Sequence, residues 1–137
     1  MGLDNGIILK LSDKKVPKDF PEQHYYWWID TQVDVDKTGE FTVAFWRKCW
    51  DIREIILGVL HAGQEGGEYP VEAEDLPAIR REIVKLLNPK NYEEQSDSIW
   101  EYEERIDSEL QILLNLMWLE NYLKSHPDDS AYFYDSY

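Results

Sequence analysis

Apolar and polar positions along this chain follow two periods, first near two residues and then near three and a half. Asp4-Asn5-Gly6 favours a turn, and the short apolar run Ile7 to Leu11 that follows reads as a strand. Asp13 to Pro21 is a charged, proline-bearing loop. His24 to Val35 is rich in aromatic and β-branched residues, which suit a pleated surface. It runs into Asp36-Lys37-Thr38-Gly39, a type I turn with glycine available for the left-handed position. Phe41, Val43 and Phe45 then alternate with Thr42 and Ala44, so the spacing predicts a β-hairpin.

The period changes at Trp46. Trp46, Cys49, Trp50, Ile56, Leu57 and Leu60 recur mostly at spacings of three and four, the mark of one helix face. Ile52, Ile55 and Val59 supply a second apolar face, so this helix is expected to be buried on more than one side. It ends near His61-Ala62-Gly63, a glycine-rich loop runs from Gly63 to Gly67, and Tyr69-Pro70-Val71 reads as a short extended piece. Asp75 is the expected N-cap of a second helix, with Pro77 tolerated in its first turn. Leu76, Ile79, Ile83, Leu86 and Leu87 form its stripe, and Asn88-Pro89 closes it. Ser98-Ile99-Trp100-Glu101 has capping-box spacing and launches a third helix toward Lys124. Its expected core stripe is Ile99, Tyr102, Ile106, Leu110, Leu113 and Met117. His126-Pro127 stops it, and the aromatic stretch Tyr132 to Tyr137 reads as a strand that must pair to avoid an exposed edge.

These elements predict one α+β domain over residues 1–137. A small, mostly antiparallel sheet, built from the N-terminal strand, the hairpin and the C-terminal strand, is expected to pack against three helices. A chain of 137 residues buries a single core.

Charge narrows the function. Against 28 Asp and Glu there are only 14 Lys and Arg, a net charge of −14. A field of that sign repels phosphate backbones, so direct nucleic-acid binding is not expected, whereas a protein partner with a basic surface is. Aromatic content of 14% is high and suits a dense core or adhesive clefts. A single cysteine, Cys49, excludes an internal disulfide and fits a reducing compartment. The first residues lack a basic region followed by a long apolar run, and Leu110 to Leu119 is too short to cross a bilayer. The expected setting is cytoplasmic, away from the membrane.

Most local motifs dissolve on inspection. Asp34-x-Asp36-x-Thr38-Gly39 copies the opening of a calcium loop, but its twelfth position is Phe45 instead of a bidentate glutamate. His24, His61 and His126 show no ligand spacing, so neither a metal nor a cofactor is expected. Gly63-Gln64-Glu65-Gly66-Gly67 lacks the Lys and Ser/Thr of a phosphate loop, and no nucleophile elbow is present. No catalytic residue is assigned.

The stretch Phe45-Trp46-Arg47-Lys48-Cys49-Trp50 is different. A cation in the first turn of a helix opposes the macrodipole, a penalty that something must offset. If the helix begins at Trp46, then Trp46 and Trp50 lie one turn apart and can flank a guanidinium, with Arg53 about two turns from Trp46. The pattern suits a pocket for a carboxylate, phosphate or acidic peptide. It suits better a buried arginine–carboxylate network joining helix to sheet, with Asp4 or Asp135 as partner.

"MGLDNGI" at the start, "FWRKCWDIREIIL" in the middle and "YFYDSY" at the end resemble a family of small proteins from bacterial, phage and prophage genomes. Its members begin Met-Gly-Leu-Asp, carry a Tyr/Phe-Trp-Arg-Lys block and close on a Tyr-Tyr-Asp-Ser type of tail; here the last residue is Tyr137 where the family has Trp. The resemblance covers both ends and the centre and implies no catalytic role. It implies positions that belong together: Gly2, Leu3, Asp4, the block Trp46, Arg47, Lys48, Trp50 and Arg53, and the tail Tyr134, Asp135 and Ser136. The function expected first is a phage- or prophage-related, non-enzymatic interaction protein, in its sharpest form a nucleic-acid mimic. The alternative is a small anionic-ligand binder or enzyme around Arg47, Lys48 and Arg53, with Asp4 and Asp135 as acid–base groups and Tyr134 beside them. A third reading makes these residues architectural.

Overall fold

The computed structural model describes residues 3–21, 31–87 and 98–136. In chain order the elements are β1 (Asp4–Lys10), α1 (Thr31–Thr38), β2 (Glu40–Arg47), α2 (Trp50–Leu60), β3 (Gly67–Val71), α3 (Leu76–Leu86), α4 (Ser98–Ser125) and β4 (Ser130–Ser136). The strands form one antiparallel sheet in the order β2-β1-β4-β3, and the long helices α2, α3 and α4 supply its packing partners. The fold is α+β, as the sequence pattern implies.

Alternation decides which side of the sheet is buried. Ile7 faces Ala44 on β2 and Phe133 on β4, and all three are fully buried. Leu9, Phe41, Ala131 and Val71 extend this inner layer. Against it lie Ile52 and Ile56 of α2, Ile79 and Ile83 of α3, and Leu116 and Leu119 of α4, each with no exposed surface. Burying each such side chain stabilises the fold by about 1.5–3 kcal/mol before entropy is counted.

β2 carries a bulge. Ile7 pairs with Ala44 and Ile8 with Thr42, which leaves Val43 without a cross-strand partner. A bulge frees a backbone carbonyl that burial makes costly. Asn115 on α4 satisfies it by donating from Nδ2 to the Val43 carbonyl at 3.0 Å. Asn115, a polar residue on the inner face of α4, thus docks the helix on the irregular strand.

Several sequence expectations need correction. First, no hairpin joins His24–Val35 to Phe41–Phe45: the described part of that segment, from Thr31, is helix α1, and β2 pairs with β1. Residues 22–30 lie outside the described residues. The turn signal was real but belongs to a helix end, because Gly39 at φ +74° donates its N–H back to the Val35 carbonyl at 2.9 Å. Gly39 then accepts from the Leu11 N–H at 2.7 Å, which leads β2 onto β1. Asp34 and Asp36 therefore sit on an exposed helix and not on an ion-binding loop.

Second, helix α2 begins at Trp50, and Trp46 still belongs to β2. Phe45, Trp46 and Arg47 continue the strand alternation as half-buried, buried and exposed. Third, α4 buries only part of the expected stripe: Ile106 and Leu113 pack half-buried against the core, and the side chains of Ile99 and Tyr102 lie outside the described residues. Glu109, Asn115, Leu116 and Leu119 are buried, whereas Leu110 and Met117 are 50% and 49% exposed. Asp75 heads α3 but does not cap it, since its carboxylate accepts the Glu72 N–H at 2.9 Å. Asn88-Pro89 lies outside the described residues.

Candidate functional site

Because β1 runs antiparallel to both neighbours, its first residues meet the last residues of β2 and of β4. Asp4 stands opposite Arg47 on one side and Ser136 on the other; Asn5 stands opposite Trp46 and Asp135. The Lys48 N–H bonds the Leu3 carbonyl at 2.8 Å and fixes the exit of β2. The three blocks that carry the family resemblance thus share one end of the sheet.

At the centre is a buried ion pair. Arg53, in the second turn of α2, donates from Nε to Asp135 Oδ1 at 2.9 Å, and Asn5 donates from Nδ2 to the same oxygen at 2.7 Å. Arg53 also reaches the Gln64 carbonyl at 3.2 Å, which ties the loop before β3 to α2. Arg53 is 3% exposed, Asp135 2% and Asn5 0%. Paired burial of this kind is close to neutral in net stability, but losing one partner strands a charge. Asp135 Oδ2, Asn5 Oδ1 and Asp4 Oδ1 are buried without a hydrogen-bond donor, which lowers the net worth of the cluster further.

The other expected site residues are dispersed around this pair. Arg47 closes β2 and Lys48 forms the turn at φ +58°, and both are exposed. Neither lies in the first turn of α2, so the macrodipole conflict does not arise, and the two cations are not enclosed. Trp46 and Trp50 do not flank a guanidinium together. Trp46 is 3% exposed on the inner side, while Trp50 is 53% exposed with the Arg53 guanidinium 5.7 Å from its ring centre. Tyr134 is 37% exposed and alternates away from Asp135 to the other face of the sheet.

A second cluster adjoins the first and was not anticipated. Trp46 donates from Nε1 to both carboxylate oxygens of Glu109 on α4, at 3.2 and 3.3 Å. Burial pushes the Glu109 pKa up; the Trp46 hydrogen bond and Arg105 pull against that, and Asp51 adds to it. Arg105 is itself paired with Asp51 at 2.9 Å. Cys49 stands between, half-buried, its thiol donating to the Arg47 carbonyl at 3.5 Å. Burial and then Glu109 raise the Cys49 pKa, against a smaller opposing pull from Arg105. A raised thiol pKa makes a poor nucleophile at neutral pH. The one signal for Glu109 in the sequence is its spacing to Ile112, Leu116 and Leu119, which places it on the apolar face. Asn5 had none, since Asp4-Asn5-Gly6 reads as a turn and is strand.

At the opposite end of the sheet a groove of about 580 Å³ opens between β3, the start of β4 and the end of α4. Glu68, Glu72, Glu74 and Asp129 line it, against Lys10 as the one cation among the described residues. The Lys10 ammonium sits 5.0 Å from the ring centre of Tyr132, in the geometry of a cation–π contact. Pro70, Leu123 and Pro127 give it apolar walls. Asp129 is held by Ser12 and Tyr122, and Glu72 by the turn before α3, whereas no hydrogen bond engages Glu68 or Glu74 among the described residues.

No family model matches the chain, nor does any curated protein or solved structure. Among the described residues, no helix is long and apolar enough to cross a membrane, and no group of three or more His, Cys, Asp or Glu is placed to hold a metal ion.

Proposed function

We propose that this chain is a non-enzymatic interaction protein that binds a partner with a basic surface, acting in the cytoplasm and phage- or prophage-related in origin. The observation that carries the reading is the groove that Glu68, Glu74 and Tyr132 line together, with Lys10 already lying over that ring. A lysine or arginine from a partner entering there meets two uncommitted carboxylates and an aromatic face. The net charge of −14 supplies long-range attraction for such a partner and raises its association rate. The phage connection is supported by the three sequence blocks alone.

The ligand-pocket alternative finds less support. Its central cation, Arg53, is neutralised by Asp135 at 2.9 Å and buried, and Arg47 and Lys48 lie exposed, away from that pair.

A labelled arginine-rich peptide tests the proposal. Binding is expected to weaken with salt, and charge reversal at Glu68 and Glu74 is expected to weaken it at least about tenfold. Reversing Asp34 and Asp36 on α1 changes net charge by the same amount away from the groove. Equal losses from both pairs would mean that only the overall field acts, and the groove would have no role.

A further inference from the structure

We propose that α4 pairs antiparallel with α4 of a second copy of this chain. The seam is the solvent face of the helix: Asp107, Leu110, Leu114, Met117, Asn121 and Lys124, all exposed. Their spacings are three, four, three, four and three, the heptad rhythm that keeps one stripe facing a partner helix. Leu110, Leu114 and Met117 are 50%, 53% and 49% exposed, on the side of α4 opposite to Leu116 and Leu119, which have no exposed surface. α4 is therefore apolar on two faces, of which the protein's own core covers one. Arg80 on α3 pairs with Glu120 of α4 at 2.8 Å, beside the stripe.

The charges at the two ends identify the occupant. A two-fold axis midway between Leu114 and Met117 sets Leu114 against Met117 of the other copy, Leu110 against Asn121, and Asp107 against Lys124. Both ends of the pairing then bring opposite charges together, with the Lys124 ammonium, 2.8 Å from Glu120 of its own helix, shared between the two carboxylates. A parallel pairing would stack Asp107 on Asp107 and Lys124 on Lys124, so the stripe selects the antiparallel arrangement by its own sequence. A single polar residue in such a seam, here Asn121, fixes register at some cost in stability. The paired stretch from residue 107 to 124 is about 25 Å long at 1.5 Å per residue, roughly five turns. Two chains of net charge −14 repel each other at long range, so screening by salt is expected to tighten the association.

Sedimentation equilibrium and light scattering on the full chain, from about 1 to 500 µM, test this. The expected result is twice the 16.3 kDa chain mass at the upper end, with a Kd that falls as salt is raised. Leu114→Glu is expected to raise that Kd at least about a hundredfold, because it buries two carboxylates at the centre of the pairing. Its melting point measured at low concentration should match the wild type, since Leu114 is half-exposed in the single chain. Asp107→Lys and Lys124→Asp should each weaken the dimer roughly tenfold, and the double exchange should restore it, because opposite charges again face each other at both ends. A wild type that stays monomeric over this range overturns the proposal. So does a dimer that is indifferent to Leu114→Glu, or a double exchange that adds the two losses instead of cancelling them.

Discussion

Arg53→Met isolates the buried pair from everything around it. Methionine fills a similar stem volume without charge, so packing against the neighbouring core is largely retained. What is lost is the bond from Arg53 Nε to Asp135 Oδ1 at 2.9 Å and the bond to the Gln64 carbonyl at 3.2 Å. Asp135 then keeps only the Asn5 amide at 2.7 Å, with its side chain 0% exposed. Removing one member of a buried pair costs about 3–5 kcal/mol, because the remaining charge is desolvated without compensation. For a chain of this size each kcal/mol moves the melting point by roughly 3–5 °C, so a fall of roughly 10–20 °C is expected. Thermal and urea unfolding followed by tryptophan fluorescence measure it.

The companion variants give the experiment its discrimination. Arg53→Met with Asp135→Leu removes both charges, and the double variant is expected to recover most of the loss, since an apolar replacement of a buried pair is often neutral. Arg53→Lys should fall between, because one ammonium cannot serve Asp135 and Gln64 with the fork geometry of a guanidinium. Lys85→Ala breaks the exposed Lys85–Glu82 pair at 3.0 Å and should change stability by less than about 0.5 kcal/mol. An Arg53→Met variant within about 1 kcal/mol of wild type would refute the burial argument. So would a double variant as unstable as the single.

Other outcomes follow from single observations. Glu109 has a carboxyl pKa raised by burial, so the folded state binds its proton more tightly than the unfolded state; its contribution to stability is lost as pH rises from the ordinary carboxylate value through the raised one. Glu109→Gln is therefore expected to raise the melting point at pH 7 and leave it nearly unchanged near pH 4, and a lower melting point at pH 7 would contradict the assignment. Two glycines should respond with opposite signs to alanine. Gly39, at φ +74° with the Leu11 carbonyl 3.0 Å from an added Cβ, should cost about 1–2 kcal/mol, whereas Gly58, with nothing within 4 Å inside α2, should gain about 0.5–1 kcal/mol by calorimetry. Asn115→Ala leaves the bulge carbonyl of Val43 without its 3.0 Å donor and should cost about 1–3 kcal/mol by chemical denaturation.

Period and punctuation made much of this fold legible. The apolar runs that became β1, α3 and β4, and the start and stop of the last helix, sit close to where spacing and capping residues place them. The failures share a physical cause. Asp36-Lys37-Thr38-Gly39 marks a reversal whether the chain arrives as strand or helix, because Gly39 serves the left-handed position in both. Trp46 and Trp50 are four apart whether or not a helix joins them, and the alternation Phe45-Trp46-Arg47 decided the matter in favour of strand. On α4 two apolar stripes compete, and the choice went to the one bearing Glu109 and Asn115 because Trp46 and the Val43 carbonyl supply partners for their polar atoms. Tertiary hydrogen bonding of that kind leaves no local trace in sequence.

The convergence of the three sequence blocks has a structural explanation that needs no ligand. An antiparallel central strand necessarily brings its own start beside the end of each neighbour, so Asp4-Asn5, Trp46-Arg47 and Asp135-Ser136 share one end of the sheet by register alone. Once there, Asp135 can be buried only with a cation and a donor beside it, and Arg53 and Asn5 fill those roles. The same packing constraint removes the charges of Arg53 and Asp135 from contact with other molecules, while Arg47 and Lys48 stay exposed. The proposed partner contacts use other groups: Glu68, opposite Tyr134 on β4, and Glu74 in the groove, and Leu110, Leu114 and Met117 on the outer side of α4. None of these five stands in a block that carries the resemblance, so the proposed contacts and the recognisable residues are separate sets.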